Sequence, residues 1–372
     1  MAAGTGSSGA GMHTAESSWI RQVHRLRHQY FQQEAVLDLP TPEVIRLAEV
    51  QDAIYSQLFD EHVVVHCPPK RYQAKVLKQL VARIEAAIVD WDTYAVSDSL
   101  MTSLAELMCT PMPLESAVIQ EKSTVIYHLS QLDYSGRDSV ETEEEPCIIL
   151  LESRFLLSAA GTTGLRTWEA ALHLGQYLSQ YPQVVAGRRV LELGAGTGYL
   201  SMLCAKYLSP THVTLSDGSD NVVANFSNNL LLNRLEEDPS RITFVKLIWG
   251  HPLIGADAQW IKGQPVDVIL GADVTYDRSA IPALVASLAE ILGMYVHAQA
   301  YVAITRRSED NFSAFLETCL QHKLGLENLQ YEILPRARQE GPFYCDQVEV
   351  RVYRIQHKIK SNSKEAASGS CR

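Results

Sequence analysis

The sequence predicts an α/β protein: a doubly wound, seven-stranded and mostly parallel sheet with an antiparallel edge, preceded by a helical N-terminal region. Three observations carry this. Beyond Gly187, short apolar runs alternate with helical stretches, as crossovers between parallel strands require. The first run ends in Gly194, Gly196 and Gly198 at two-residue spacing, where a strand turns into a helix. The last two strands are joined by a loop with no helix between them, which makes them an antiparallel pair.

The helical region comes first. From 17 to 34, Trp19, Val23, Leu26 and Tyr30 recur at helical spacing behind a serine cap. Thr41-Pro42-Glu43 has the form of an N-cap with proline in the first turn, opening a second helix through Val44, Leu47, Ile54 and Leu58. A third follows Pro68-Pro69 and carries Val76, Leu77, Leu80, Ile84 and Ile88 on one face. A fourth covers 98–108 and stops before Pro111. This unit reads equally well as a structural cap or as a platform for a large substrate. Strands at 124–129 and 147–151 flank a polar, acidic loop and form a hairpin at the junction.

The alternating part then runs strand 190–193, helix 199–208, strand 212–217, helix 219–233, strand 242–249, strand 266–272, helix 281–295, strand 301–305, helix 310–322, and closing strands at 329–334 and 347–355. The expected organisation is a disordered N-terminus at 1–15, the helical region at 16–115, the hairpin junction at 116–160, the sheet domain at 161–356, and a disordered tail at 357–372. In such a sheet a ligand lies across the carboxyl ends of the strands, at the switch point beside the first one.

Composition narrows the chemistry. At 372 residues and 46% apolar content the chain can bury a substantial core, and no apolar run reaches the roughly 20 residues of a membrane span. The N-terminal 2–11 lack a signal peptide's apolar centre, so a cytoplasmic protein without membrane association is expected. The formal charge of −11 disfavours direct nucleic-acid binding. Seven scattered cysteines without C-x-x-C suggest neither a disulfide framework nor a zinc site, and no metal is expected.

The glycine turn points to a small-molecule cofactor, because a backbone without Cβ lets a ligand approach and the following helix offers unpaired N–H groups. A dinucleotide fold wants a third small residue where this chain has Tyr199. The spacing is instead G-x-G-x-G, with Glu192 two residues ahead. A second acid, Asp217, ends the next strand, where such folds hold ribose hydroxyls. A third, Asp273, ends an apolar strand and opens D-x-x-Y with Tyr276. Each has a plainer reading: Asp217 and Asp273 as helix caps, Tyr276 as packing.

The 190–200 turn resembles motif I of the class I S-adenosylmethionine-dependent methyltransferases, and the seven strands resemble their fold. D-x-x-Y after the fourth strand, Trp249 ending the third, and Thr167-Trp168-Glu169-Ala170-Ala171 ahead of motif I together resemble the protein-lysine enzymes of methyltransferase family 16. Within it, 161–172 closely resembles the branch that methylates translation elongation factor 2; Thr275, Glu169 and the 133–146 loop depart from its pattern. The resemblance implies S-adenosyl-L-methionine held by Trp168, Glu192, Gly194, Ala195, Gly196, Gly198, Asp217, Trp249 and Ala272. It implies Asp273 and Tyr276 as the catalytic pair. Asp273 would orient the substrate amine, or hold its ammonium until water removes the proton, and Tyr276 would offer its hydroxyl or a wall to the lysine channel. The expected partner is a protein, elongation factor 2, met by a monomer. A different protein target, or a non-catalytic binding module on the same fold, would use the same motifs.

Overall fold

A computed structural model describes residues 9–111, 122–133, 145–154, 164–236, 238–251 and 265–357. The first helix, α1 (Gly9–Phe31), starts well before the serine expected to cap it, so 9–15 are helical, while 1–8 lie outside the described residues. The expected second helix is two: α2 (Pro42–Ile45) and α3 (Ala48–Leu58), separated by an extended Leu47. The break has a packing cause. The buried positions are Ile45, Val50, Ile54 and Leu58, and the five-residue step from Ile45 to Val50 cannot stay on one face of a continuous helix. Next come α4 (Lys70–Ala87) and α5 (Asp98–Cys109). Val23, Leu26, Tyr30, Leu77, Ile84 and Leu100 meet in one core.

A two-stranded antiparallel hairpin of β1 (Ser123–His128) and β2 (Cys147–Glu152) follows, with a single turn, α6 (Ser130–Asp133), after its first strand. Strand alternation lets it join two cores. Val125 and Tyr127 face the core of the large sheet, and Ile126 packs against the helical one.

Then come α7 (Glu169–Gln180), β3 (Arg189–Leu193), α8 (Tyr199–Tyr207), β4 (His212–Asp217), α9 (Asp220–Leu232), β5 (Ile242–Lys246), β6 (Val268–Ala272), α10 (Ile281–Met294), β7 (Gln299–Thr305), α11 (Glu309–Gln321), β8 (Leu324–Leu329) and β9 (Val350–His357). The sheet order is β5-β4-β3-β6-β7-β9-β8, with β9 antiparallel to both neighbours. α7 was absent from the expected series. β5 stops at Lys246, three residues short, so Trp249 sits in the turn beyond the strand rather than ending it. β8 lies earlier than 329–334: the chain reverses at Lys323 (φ 60°) and pairs at once, while Tyr331 packs its ring against His173 and Tyr177 of α7. Helices cover both faces, α7, α8 and α9 on one and α10 and α11 on the other. Among the described residues no helix is long and apolar enough to cross a membrane. The expected tail, from 358 onward, lies outside them.

Candidate active site

β3 lies between β4 and β6, and the chain leaves these neighbours in opposite directions, which opens a crevice at their carboxyl ends. A cavity of 740 Å³ fills it, within the range of small-molecule sites. Trp168, Glu192, Gly194, Ala195, Gly196, Asp217, Trp249, Ala272, Asp273 and Tyr276 all line it.

Gly198 is the exception. It stands as the N-cap of α8 at φ 83° and is not a lining residue; a Cβ there would meet Leu215 and Met202 at 3.1 Å, on the core side. At this φ the position favours glycine, which makes the turn into α8 possible. Gly194, at φ 63°, does face the cavity. A Cβ on it would come within 2.9 Å of the Trp249 indole, so the close approach of that ring depends on the missing side chain.

Two carboxylates brace the turn. Glu192 is buried, and its Oε2 accepts from the Ser201 amide at 3.0 Å and from the Ser201 hydroxyl. Burial pushes its pKa up to about 7, against those two bonds, and the nearby Asp217 adds to the rise. Asp217 accepts from the Gly196 amide at 3.1 Å through Oδ2 and from the Ser219 amide at 2.9 Å through Oδ1. Burial raises its pKa while these amides oppose the rise. Asp217 is not the cap of α9, which is Ser219; its bonds fix the loop between β4 and α9 while it remains on the cavity wall.

Asp273 follows β6 directly, in the left-handed region at φ 52°. Asp tolerates that conformation better than most residues, and strain of this kind concentrates at functional sites. The carboxylate is buried and folded back on β7. Oδ1 accepts from the Thr305 amide at 3.0 Å, and Oδ2 from the Thr305 hydroxyl at 2.9 Å. Burial raises its pKa; Thr305 and Arg307 pull the other way. Tyr276 is 58% exposed, at the mouth, with its carbonyl accepting from Asn311 at 2.7 Å.

Two features escaped the sequence reading. Arg307 lines the cavity two residues past β7 and pairs with both Asp273 and Glu169; its place after a strand's carboxyl end was the available signal. The other is a buried chain of hydroxyls. Glu152 of β2 accepts from Tyr127 at 2.8 Å and from the Thr167 hydroxyl at 2.6 Å, and Thr167 lies 2.6 Å from the Thr197 hydroxyl in the glycine turn. The hairpin thus holds the residue preceding Trp168.

The donor set suits an adenosyl amino-acid cofactor. A glycine cradle that a Cβ would fill, an acceptor carboxylate at Asp217 for hydroxyls, another at Glu192 for an amine, and an indole wall at Trp249 are all present on one cavity.

Sheet order, switch-point cavity and glycine turn define a class I methyltransferase. The comparisons with known proteins agree. A family described as lysine methyltransferase matches residues 156–322. The protein-lysine N-methyltransferase EFM3 of Chaetomium thermophilum is 46% identical over 90% of this chain and 97% of its own length. The human protein-lysine N-methyltransferase EEF2KMT is 29% identical over 82% of this chain and 86% of its own. The chain belongs to the protein-lysine N-methyltransferases, with S-adenosylmethionine as methyl donor and a protein as substrate.

Proposed function

We propose that this enzyme methylates a lysine of translation elongation factor 2 in the cytoplasm, using Asp273 to receive the lysine amine. The observation that carries the reading is the Asp273 carboxylate, buried on the cavity wall one residue past β6 and fixed by Thr305. The target is supported by the resemblance of 161–172 to the elongation-factor-2 branch and by the likeness to EFM3 and EEF2KMT along most of the chain.

Gly194, Ala195, Gly196, Trp168, Trp249 and Ala272 would hold the cofactor, with Asp217 taking its ribose and Glu192 its amino-acid end. The cofactor supplies an electrophilic methyl group when bound. The protein's share is alignment of a neutral amine and exclusion of water, since an in-line displacement on nitrogen needs no covalent intermediate. A lysine side chain in water titrates near pH 10.4, about three units above neutrality, and must lose a proton first. Asp273, held rigidly by two bonds from Thr305, orients the nitrogen. Tyr276, standing exposed at the mouth, walls the lysine's approach.

The separation of binding from turnover tests these roles. Asp273→Ala is expected to lower methylation by on the order of 10²-fold or more, with cofactor affinity measured by calorimetry near wild type. Undiminished turnover would remove Asp273 from the mechanism, and lost cofactor binding would make it part of the cofactor site instead.

A further inference from the structure

A cation already stands at the carboxylate that would receive the lysine. Arg307 Nη1 is 3.5 Å from Asp273 Oδ2, and its Nη2 pairs with Glu169, the first residue of α7. The same guanidinium lies over the Trp168 ring, 5.1 Å from its centroid. Arg166 contacts that ring at an equal 5.1 Å. Among the described residues, the charges that act directly on Asp273 are Arg307 beyond β7 and Glu169 on α7, and the other charged or titratable groups on the same cavity include Arg166, Glu192, Asp217, Asp220 and the Tyr276 phenol. Arg307 is 43% exposed on its side chain, so it neutralises Asp273 in part while leaving a path for an incoming side chain.

We propose that Arg307 is a positioning residue that keeps the pair formed by Asp273 and the substrate amine one proton short, with the carboxylate ionised and the amine neutral. This rests on the lysine-methylation reading above.

The reason is electrostatic. A lone carboxylate beside an incoming lysine would stabilise the ammonium, whose nitrogen has no lone pair to attack with. A guanidinium sharing that carboxylate reduces the ammonium's gain and adds repulsion of like charge. Both effects favour release of the amine's proton, which leaves through the open mouth to water. The nitrogen lone pair then forms the new C–N bond as the C–S bond breaks. Arg is suited to this because it stays protonated throughout and its planar head stacks on an aromatic face while its edge pairs with two carboxylates. Asp273 and the amine titrate as a unit, so one charge moves both steps in one direction.

The test uses the full-length enzyme with Arg307→Gln and Arg307→Lys. One readout is the Asp273 carboxyl titration, followed by carbon NMR of aspartate-labelled protein without substrate and assigned with Asp273→Asn. The other is the acid limb of kcat for whichever protein lysine the wild type labels, since kcat reports groups in the bound complex. Arg307→Gln is expected to move both midpoints up by about one pH unit. Arg307→Lys, which keeps the charge, is expected to return both close to wild type. Unmoved midpoints in Arg307→Gln, with rate lost equally at every pH, would overturn the proposal and leave Arg307 a structural contact. A shifted Asp273 midpoint in a protein whose wild type labels no lysine would support the charge coupling and count against the lysine-methylation reading alone.

Discussion

Gly194 is where the geometry of the site is tightest. Its φ of 63° and the 2.9 Å separation between its would-be Cβ and the Trp249 indole impose two independent demands for glycine. Gly194→Ala is therefore expected to weaken cofactor binding by about tenfold or more and to lower stability by about 1 kcal/mol, checked by calorimetric titration and thermal melting. Residues of this kind were legible in the sequence because their chemistry is local: a glycine spacing, an acid at the end of an apolar run. Asp217 and Asp273 were legible for the same reason, as strand ends feeding one face. Spacing alone does not separate Gly194, whose missing Cβ faces the Trp249 indole, from Gly198, whose missing Cβ faces Leu215 and Met202. Arg307 was not legible as a partner of Asp273. The two are brought together by the pairing of β6 with β7, and nothing in either local sequence announces the other.

Among the elements, the hairpin and α9 show how the glycine turn is supported. β2 pairs with β1 on one side only, which leaves backbone groups on its other side. Asn225 and Asn229 on α9 and Asn233 at its C-cap, each four residues apart, meet them. Asn229 Oδ1 accepts from the Leu151 amide at 2.8 Å, Asn233 Oδ1 from the Ile149 amide at 3.0 Å, and Asn225 donates to the Leu151 carbonyl at 3.0 Å. Asn229 also donates to the Thr197 carbonyl at 2.9 Å, so one fully buried amide joins the edge of the hairpin to the cofactor turn. Asn229→Ala leaves a buried donor and a buried acceptor unmet. It is expected to cost about 2–3 kcal/mol of stability and to weaken cofactor binding, whereas an unchanged melting temperature would show that water replaces the amide. The asparagine spacing was visible in the sequence, yet its partner strand lies 74 to 84 residues upstream and so its purpose was not. The elements themselves followed from periodicity where packing is simple. They failed where packing is not: α2 and α3 divide to bring both Ile45 and Val50 inward, and the 329–334 alternation serves contacts with α7 rather than a strand.

Across the molecule, the helical region is bonded to the sheet domain and not merely tethered to it. Arg154, two residues past β2, donates to the carbonyl of Gln33 at 2.9 Å and to that of Gln32, just beyond α1. Gln32 accepts from the Phe343 amide at 2.8 Å, and Arg25 donates to the carbonyls of Arg336 and Gln339. Glu145, before β2, meets Arg27 at 2.9 Å and His28 at 3.0 Å on α1, and His28 stacks on His128 of β1 with ring centroids 3.6 Å apart. Burial opposes ionisation of Glu145, but His28 and Arg27 hold its pKa down to about 2. Such bonding makes the helices a fixed surface beside the hairpin. The acidic net charge and scattered cysteines bounded the protein class from the sequence, while this junction, built from residues up to 314 apart, could only be seen in the fold.

In the proposed function the cavity acts on one lysine of elongation factor 2. Mass spectrometry of purified, unmethylated elongation factor 2, after incubation with the enzyme and isotopically labelled S-adenosylmethionine, would decide it. A labelled methyl on a single lysine of elongation factor 2, absent with Asp273→Ala, is the expected outcome. An unlabelled elongation factor 2, under conditions where the enzyme demonstrably binds the cofactor, would refute the assignment of this target.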